Sequence, residues 1–240
     1  MKERPILFSG PLVRALIAGT KTQTRRPVKG IEFRGAGGKD GADWNDPSCW
    51  GWADEYGDEW ALAAAPGVRA IPCPYGVPGD RLWVRETFQF ETNDGFGDDY
   101  EPPFADGRPV QWEDRGDEGR VWCQPHYRAT DPEPELCCND ERCSNGDPHG
   151  HWQPSIHMPR WASRLTLEIT DVRVQRLQEI SDEDIVAEGI EEAAGSFPLR
   201  EERMTLPRHA FAHVWGRIYG KGSWDASPWV WALTFKVVKA

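Results

Sequence analysis

Gly19-Thr20-Lys21-Thr22-Gln23-Thr24-Arg25-Arg26 is the stretch on which the reading of this chain turns. Before it runs Pro11 to Ala18, where Leu12, Val13, Leu16 and Ile17 share one face at helical spacing. Proline suits the first helical position, and Gly19 suits the left-handed residue just beyond the last turn. After Gly19 the chain should reverse into a strand, since Thr22 and Thr24 are β-branched and Pro27 forbids a helix. One lysine, several hydroxyls and two arginines are thereby held on a tight helix-to-strand turn, a place suited to a pocket wall. A solvated basic turn is the plainer reading of the same spacing.

Outward from this stretch, the bulk numbers set bounds. The 240 residues suffice for one sizeable core. Thirteen Trp alongside 24 Gly and 20 Pro predict short strands and many loops rather than a helical bundle. No apolar run approaches the roughly 20 residues of a membrane span, and Met1-Lys2-Glu3-Arg4-Pro5 lacks a secretory apolar region. Six cysteines in a chain of this length do not read as a secreted disulfide scaffold. A cytoplasmic protein without membrane contact is expected. The net charge of −11 argues against coating a nucleic acid through a basic surface. Residues 1–35 nevertheless carry eight Lys or Arg against Glu3 and Glu32, a local balance of +6 on an acidic body. Such a patch fits a small anionic ligand or one bent strand.

The motif Gly-x-Lys-x-x-x-x-Arg, present as Gly19, Lys21 and Arg26, resembles the signature of ASCH domains, small β-barrels of the PUA-like superfamily of which most are thought to bind RNA. Lys-Thr-x-Thr-x-Arg at the same place resembles a bacterial subgroup that hydrolyses the amide of acetylated cytidine with a lysine, a threonine and a downstream glutamate. Many other ASCH domains carry a glutamate where this chain has Thr24, so the departure is toward the hydrolases. Gly79-Asp80 leading into Leu82-x-Val84 also resembles the ASCH pattern, and the long insertions resemble phage and prophage members. The resemblance covers about residues 4–28, 71–90 and 155–238. It implies an α+β fold: one PUA-like β-barrel over 1–240, with short flanking helices and loop-rich insertions near 30–70 and 91–153.

Along the chain, Pro5 to Phe8 reads as a short strand, and Ser9 or Gly10 as the cap of the first helix. Gly30 to Gly67 reads as a weakly structured insertion whose Trp44, Trp50, Trp52 and Trp60 fold it onto the barrel. Arg81 to Phe90 alternates as a strand, with Glu86 breaking the apolar face; an ion pair to an arginine at the barrel mouth is the preferred explanation. Glu91 to Gly119 holds ten Asp or Glu and reads as a solvated insertion. Val121 to Arg128 would return to the barrel as a strand, with Pro125 confining it to an edge or bulge. Cys138, Cys143, His149 and His151 offer thiolates and imidazoles for a structural zinc, although the spacing matches no standard finger; reduced thiols in a loop are the alternative. No cofactor is required by the chemistry considered below. Arg160 and Trp161 could meet a phosphate and stack a base, or could simply strap down a connector.

From Ser163 to Leu177 the apolar alternation slips phase at Thr170-Asp171, predicting a β-bulge. Ser181 caps a helix whose first turn is Asp182, Glu183 and Asp184, with an approximate capping box at Asp184 and a stop at Gly189. Glu188 then sits in the last turn, where the helix dipole disfavours a carboxylate. By the resemblance it aligns with the hydrolase glutamate. Pro207 to Tyr219 is a helix with Phe211, Val214, Trp215 and Ile218 inward, and Trp229 to Val237 a final central strand that closes the barrel.

The resemblance thus implies amide hydrolysis at a nucleoside-sized pocket on the side of a barrel. Thr24 would attack or position water. Lys21, depressed by burial and by Arg25 and Arg26, would be the base, and Glu188 would serve the leaving amine. Arg26, two residues beyond Thr24, would face the same side and polarise the carbonyl. A non-catalytic reader of a nucleoside, single-stranded RNA or modified nucleic acid would use the same residues, with Arg25, Arg26, Arg160 and Trp161 holding the ligand. A phage structural or host-interaction protein acting through its acidic insertions is the third class.

Overall fold

The structure, a computed structural model, describes residues 1–33, 43–65, 67–92, 102, 106–114, 116, 119–131, 152–190 and 207–238. Its main sheet has five strands in the order β1-β7-β11-β12-β2. These are β1 (Glu3–Leu7), β2 (Gln23–Pro27), β7 (Arg81–Arg85), β11 (Thr166–Arg176) and β12 (Trp229–Val238). β1 runs parallel to β7, and the other neighbours are antiparallel. Asp80 fixes the parallel pair at its start, its carboxylate accepting from the Lys2 backbone N–H at 2.7 Å and from Arg4 Nη1 at 3.1 Å. The phase slip at Thr170-Asp171 is present as a register shift between Ile169 and Asp171 against β12.

The expected closed barrel is not formed. The sheets are mixed and open, and the class is α+β without a barrel. β12 is central, as its alternation predicts, but its outer neighbour β2 is an edge, and β1 is the other. A side chain, not a ladder, joins these edges: Arg26 Nη2 of β2 donates to the Leu7 carbonyl at the end of β1 at 2.8 Å.

Helices α1 (Gly10–Ala18), α2 (Asp182–Ala187) and α3 (Pro207–Tyr219) pack around this sheet. Gly19 ends α1 in the left-handed conformation, φ 77°, and its N–H caps the Ala15 and Leu16 carbonyls. Leu12, Val13, Ala15 and Leu16 are buried, whereas Ile17, read onto the same face, is 49 % exposed. From α3, Phe211, Val214 and Trp215 enter the core beside Trp229, Trp231 and Leu233 of β12. Burying each such side chain contributes about 1.5–3 kcal/mol. Ile218, expected inward, is instead half-exposed.

The insertions hold more structure than their composition suggests. β3 (Glu32–Phe33), β4 (Trp50–Ala53), β5 (Glu59–Ala61) and β6 (Arg69–Ala70) form a four-stranded sheet of their own. It docks on the main sheet through an edge contact of Trp50 with Trp229, ring centroids 6.3 Å apart, with the Arg176 guanidinium against both rings. A third sheet, β8-β10-β9, comprises β8 (Phe88–Thr92), β10 (Arg120–Tyr127) and β9 (Gln111–Asp114). β10 therefore does not return to a barrel. It is the middle strand, yet Pro125 pairs only with Phe90 of β8, since β9 reaches no further than Cys123; the missing N–H costs no ladder bond there. Among the described residues no helix is long and apolar enough to cross a membrane.

Candidate functional site

β2 sorts the opening motif by its period of two. Arg25 turns with Gln23, Nη1 donating to Oε1 at 2.9 Å, and Arg26 turns with Thr24, Nη1 donating to Oγ1 at 3.1 Å. The Gln23–Arg25 side meets α2. There Ser181 caps the helix with its hydroxyl on the Asp184 N–H, but the Asp184 carboxylate does not complete the capping box. It accepts from Arg25 Nη2 at 2.6 Å and from Gln23 Nε2 at 2.8 Å.

Lys21 and Glu188 meet one turn further on. Their backbones form an isolated antiparallel bridge, and Lys21 Nζ donates to Glu188 Oε2 at 2.9 Å, the Glu188 carbonyl at 2.8 Å and the Gln23 carbonyl at 2.7 Å. Arg25 Nη1 donates to the other Glu188 oxygen at 3.1 Å. Lys21 and Arg25 side chains are wholly buried, and that of Glu188 is 6 % exposed. Burial lowers the Lys21 pKa against the opposing pull of Glu188, with the charges of Arg26 and Arg25 adding to the depression. Burial would raise Asp184, but the hydrogen bond from Gln23 and the charge of Arg25 outweigh it and hold the carboxyl below its ordinary value.

Two spaces adjoin this cluster. A cleft of about 870 Å³ opens at the two sheet edges, with Phe8, Arg26, Tyr75, Tyr219 and Trp231 in its walls. A void of about 20 Å³, room for one water, is bounded by Thr24, Arg25, Glu188 and apolar residues of α3. Arg26, Leu12, Ile218 and Tyr219 line both spaces. Lys21 lines neither, and its ammonium lies behind Phe8, 5.3 Å from the ring centroid.

The structure thus brings Lys21, Thr24, Arg25, Arg26 and Glu188 into one neighbourhood. Lys21 bonds to Glu188 rather than to Thr24, and Arg25 is sealed within the fold. Arg160 and Trp161 lie elsewhere. Arg160 pairs with Glu3 at 3.0 Å, and Trp161 stacks on Phe90 at 5.1 Å in a separate core with Phe88, Tyr127 and Met158. Glu86 is held bidentately by Arg164, both contacts 2.9 Å, an ion pair as expected though at no barrel mouth. Cys138, Cys143, His149 and His151 lie outside the described residues; among the described residues no three His, Cys, Asp or Glu side chains are grouped to hold a metal.

Asp184 and Gln23 are part of the cluster, although the sequence motifs place neither in a site and assign Asp184 only to a cap. A usable signal existed, since Asp184 and Glu188 are four residues apart and share one helix face. Tyr75, Tyr219 and Trp231 come from three distant segments, and no local pattern joins them.

Compared with family models, with curated proteins and with solved structures, the chain matches none of them. The open sheets and this result leave the ASCH and PUA-like identity without support. The pocket for a nucleoside or RNA base on the side of a barrel falls with the barrel, and the RNA-reader alternative rested on the same pocket. The acidic insertion behind the third class lies mostly outside the described residues.

Proposed function

We propose that the protein hydrolyses the amide of a small acylated amine held in the open cleft. The observation that carries this reading is the water-sized space touching both Thr24 and Glu188, which shares Arg26, Tyr219 and two aliphatic side chains with the lining of a ligand-sized cleft. A cleft of this volume lies in the range of small-molecule sites. A buried, charge-perturbed cluster at its wall is the arrangement from which acid–base chemistry is built.

In the proposed step the amide carbonyl faces the Arg26 guanidinium. Water in the void attacks the carbonyl carbon and passes a proton to Glu188, while the C=O electron pair moves onto oxygen opposite Arg26. Collapse of the tetrahedral species breaks the C–N bond, and the proton on Glu188 moves to the leaving nitrogen. A carboxylic acid and an amine result. Thr24 orients the water: its oxygen already accepts from Arg26, which leaves its own proton to donate. Lys21 and Arg25 are positioning residues, since each holds one Glu188 oxygen and all three Lys21 protons have acceptors.

The test incubates the protein with a panel of N-acyl amines, acylated cytidine among them, and measures amine release. Turnover that falls about a hundredfold or more in Thr24→Val and Glu188→Gln, with both variants folded, supports the reading. Folded wild-type protein that turns over none of the panel, or variants as active as wild type, would reduce the cluster to a clamp between β2 and α2.

A further inference from the structure

The charges around the cleft do not cancel. Behind its wall Lys21 and Arg25 are matched by Glu188 and Asp184, and Arg26 is left over. Its hydrogen bonds go to the Leu7 carbonyl, the Arg25 carbonyl and the Thr24 hydroxyl, all neutral. Among the described residues its Nε–H has no hydrogen-bond acceptor and no acid pairs with it. Lys29, exposed on the same wall, also has no acidic partner among the described residues. Among the described residues that line the cleft there is no Asp or Glu, in a chain whose net charge is −11. A half-buried guanidinium with neutral partners is costly unless something anionic meets it.

The rest of the wall is apolar and aromatic. Phe8 lies under the Arg26 guanidinium, 5.1 Å from ring centroid to the central carbon. Tyr75, Tyr219 and Trp231 supply flat surfaces around it. We infer that the cleft binds a small organic anion, its carboxylate or phosphate on Arg26 and Lys29 and its planar body against Tyr75, Tyr219 and Trp231. This concerns binding in the cleft and stands apart from turnover: a carboxylate on Arg26 takes the position that the amide carbonyl holds in the proposed step, as the carboxylate product of that step would.

Titration calorimetry at low salt tests it, with indole acetate and phenyl phosphate as the anionic probes and indole ethanol and phenol as their neutral counterparts. The anions bind at least about tenfold more tightly than the neutral molecules, and which of the two binds better identifies the headgroup. Lys29→Glu and Arg26→Gln each remove most of that preference, and added salt weakens the anions alone. Lys29 is exposed, so its variant reports on binding without touching the buried network. Equal affinity for anion and neutral ring, undiminished anion binding in both charge variants, or no binding by either anion overturns the inference. Failure of the N-acyl panel to react leaves these outcomes unchanged, so the two readings fail separately.

Discussion

Lys21 and Glu188, 167 positions apart in the chain, are joined twice, by a backbone bridge and by an ammonium–carboxylate contact of 2.9 Å. The double link ties the turn after α1 to the end of α2. Arg25 draws the same helix from one turn earlier through Asp184, at 2.6 Å. Thr24 and Glu188 both line the water-sized space beside these links.

Removing one partner of this pair should be far costlier than removing a surface ion pair. Lys21→Met strands part of the Glu188 charge in the interior and is expected to lower stability by about 3–5 kcal/mol. Lys21→Met combined with Glu188→Gln should recover part of that loss, because the orphaned charge goes too. Urea unfolding of the single and double variants measures it; a double variant no more stable than Lys21→Met would show that packing, not charge, dominates the site.

Gly189 closes the link by geometry alone. Its φ of 68° lies in the left-handed region, and an added Cβ would come within 2.8 Å of the Ala15 Cβ and 2.9 Å of the Lys21 Cβ. Gly189→Ala should cost about 2–5 kcal/mol from backbone strain and overpacking together. Gly19→Ala, with a similar φ but open space around it, should cost only the strain part. Equal unfolding midpoints for the two variants would remove the contact argument.

These elements differ in how far the sequence announces them. The cap at Gly19, the Ser181 start of α2 and the slip at Thr170-Asp171 are local signals of capping and strand period, and all are present; β12 is a strand as read, but Trp229 to Leu233 are buried without a break and Val237 is exposed, so it is covered on both faces there and does not alternate. The failure lies in closure. Whether β1 pairs with β2 depends on strand tilt and stagger across the whole sheet, which side-chain periodicity does not encode. Arg26 spans the two edges with a single hydrogen bond, and the final strand, expected to close the barrel, lies between β11 and β2 in an open sheet. Asp184 shows the same limit at the site: its spacing from Ser181 suggested a capping box, and a stronger distant partner, Arg25, takes the carboxylate. Composition also misled over Gly30 to Gly67, where the tryptophans form cross-strand pairs such as Trp52 on Trp60, 6.1 Å apart.

Acid should loosen the protein through its arginine-held aspartates. The hydrogen bond from Arg108 lowers Asp106 to about 2. Burial opposes the shift at Asp131, yet Arg108 and the Tyr127 N–H hold it below its ordinary value, as Gln23 and Arg25 do for Asp184. Each folded-state pKa is depressed, so the stability these groups contribute is complete above the ordinary value of 3.8 and is lost as pH falls through the depressed values, about 2 for Asp106. Unfolding midpoints measured from about pH 6 downward should therefore fall steeply below about pH 4, and less steeply in Asp106→Asn and Asp131→Asn. A flat profile to the lowest pH in wild type would contradict the assignment.

Glu86 has the opposite sign and gives the sharpest contrast between two halves of one ion pair. It is 2 % exposed, and burial raises its pKa despite the bidentate Arg164. A raised carboxyl binds its proton more readily folded than unfolded, so its charging opposes folding as pH rises from the unfolded value through the folded one. Glu86→Gln removes a charge that burial already disfavours, whereas Arg164→Met leaves that charge in place without its partner and also strips the guanidinium from the Tyr127 ring, 3.9 Å away. Arg164→Met should cost about 3–5 kcal/mol at neutral pH, and Glu86→Gln less. Adding Glu86→Gln to Arg164→Met should return part of the loss, and lowering the pH should do the same for Arg164→Met alone by protonating the stranded carboxylate. Equal losses for the two single variants, with no recovery by acid or by the second substitution, would mean that Arg164 acts through its packing on Tyr127 and that the charge of Glu86 is immaterial to the fold.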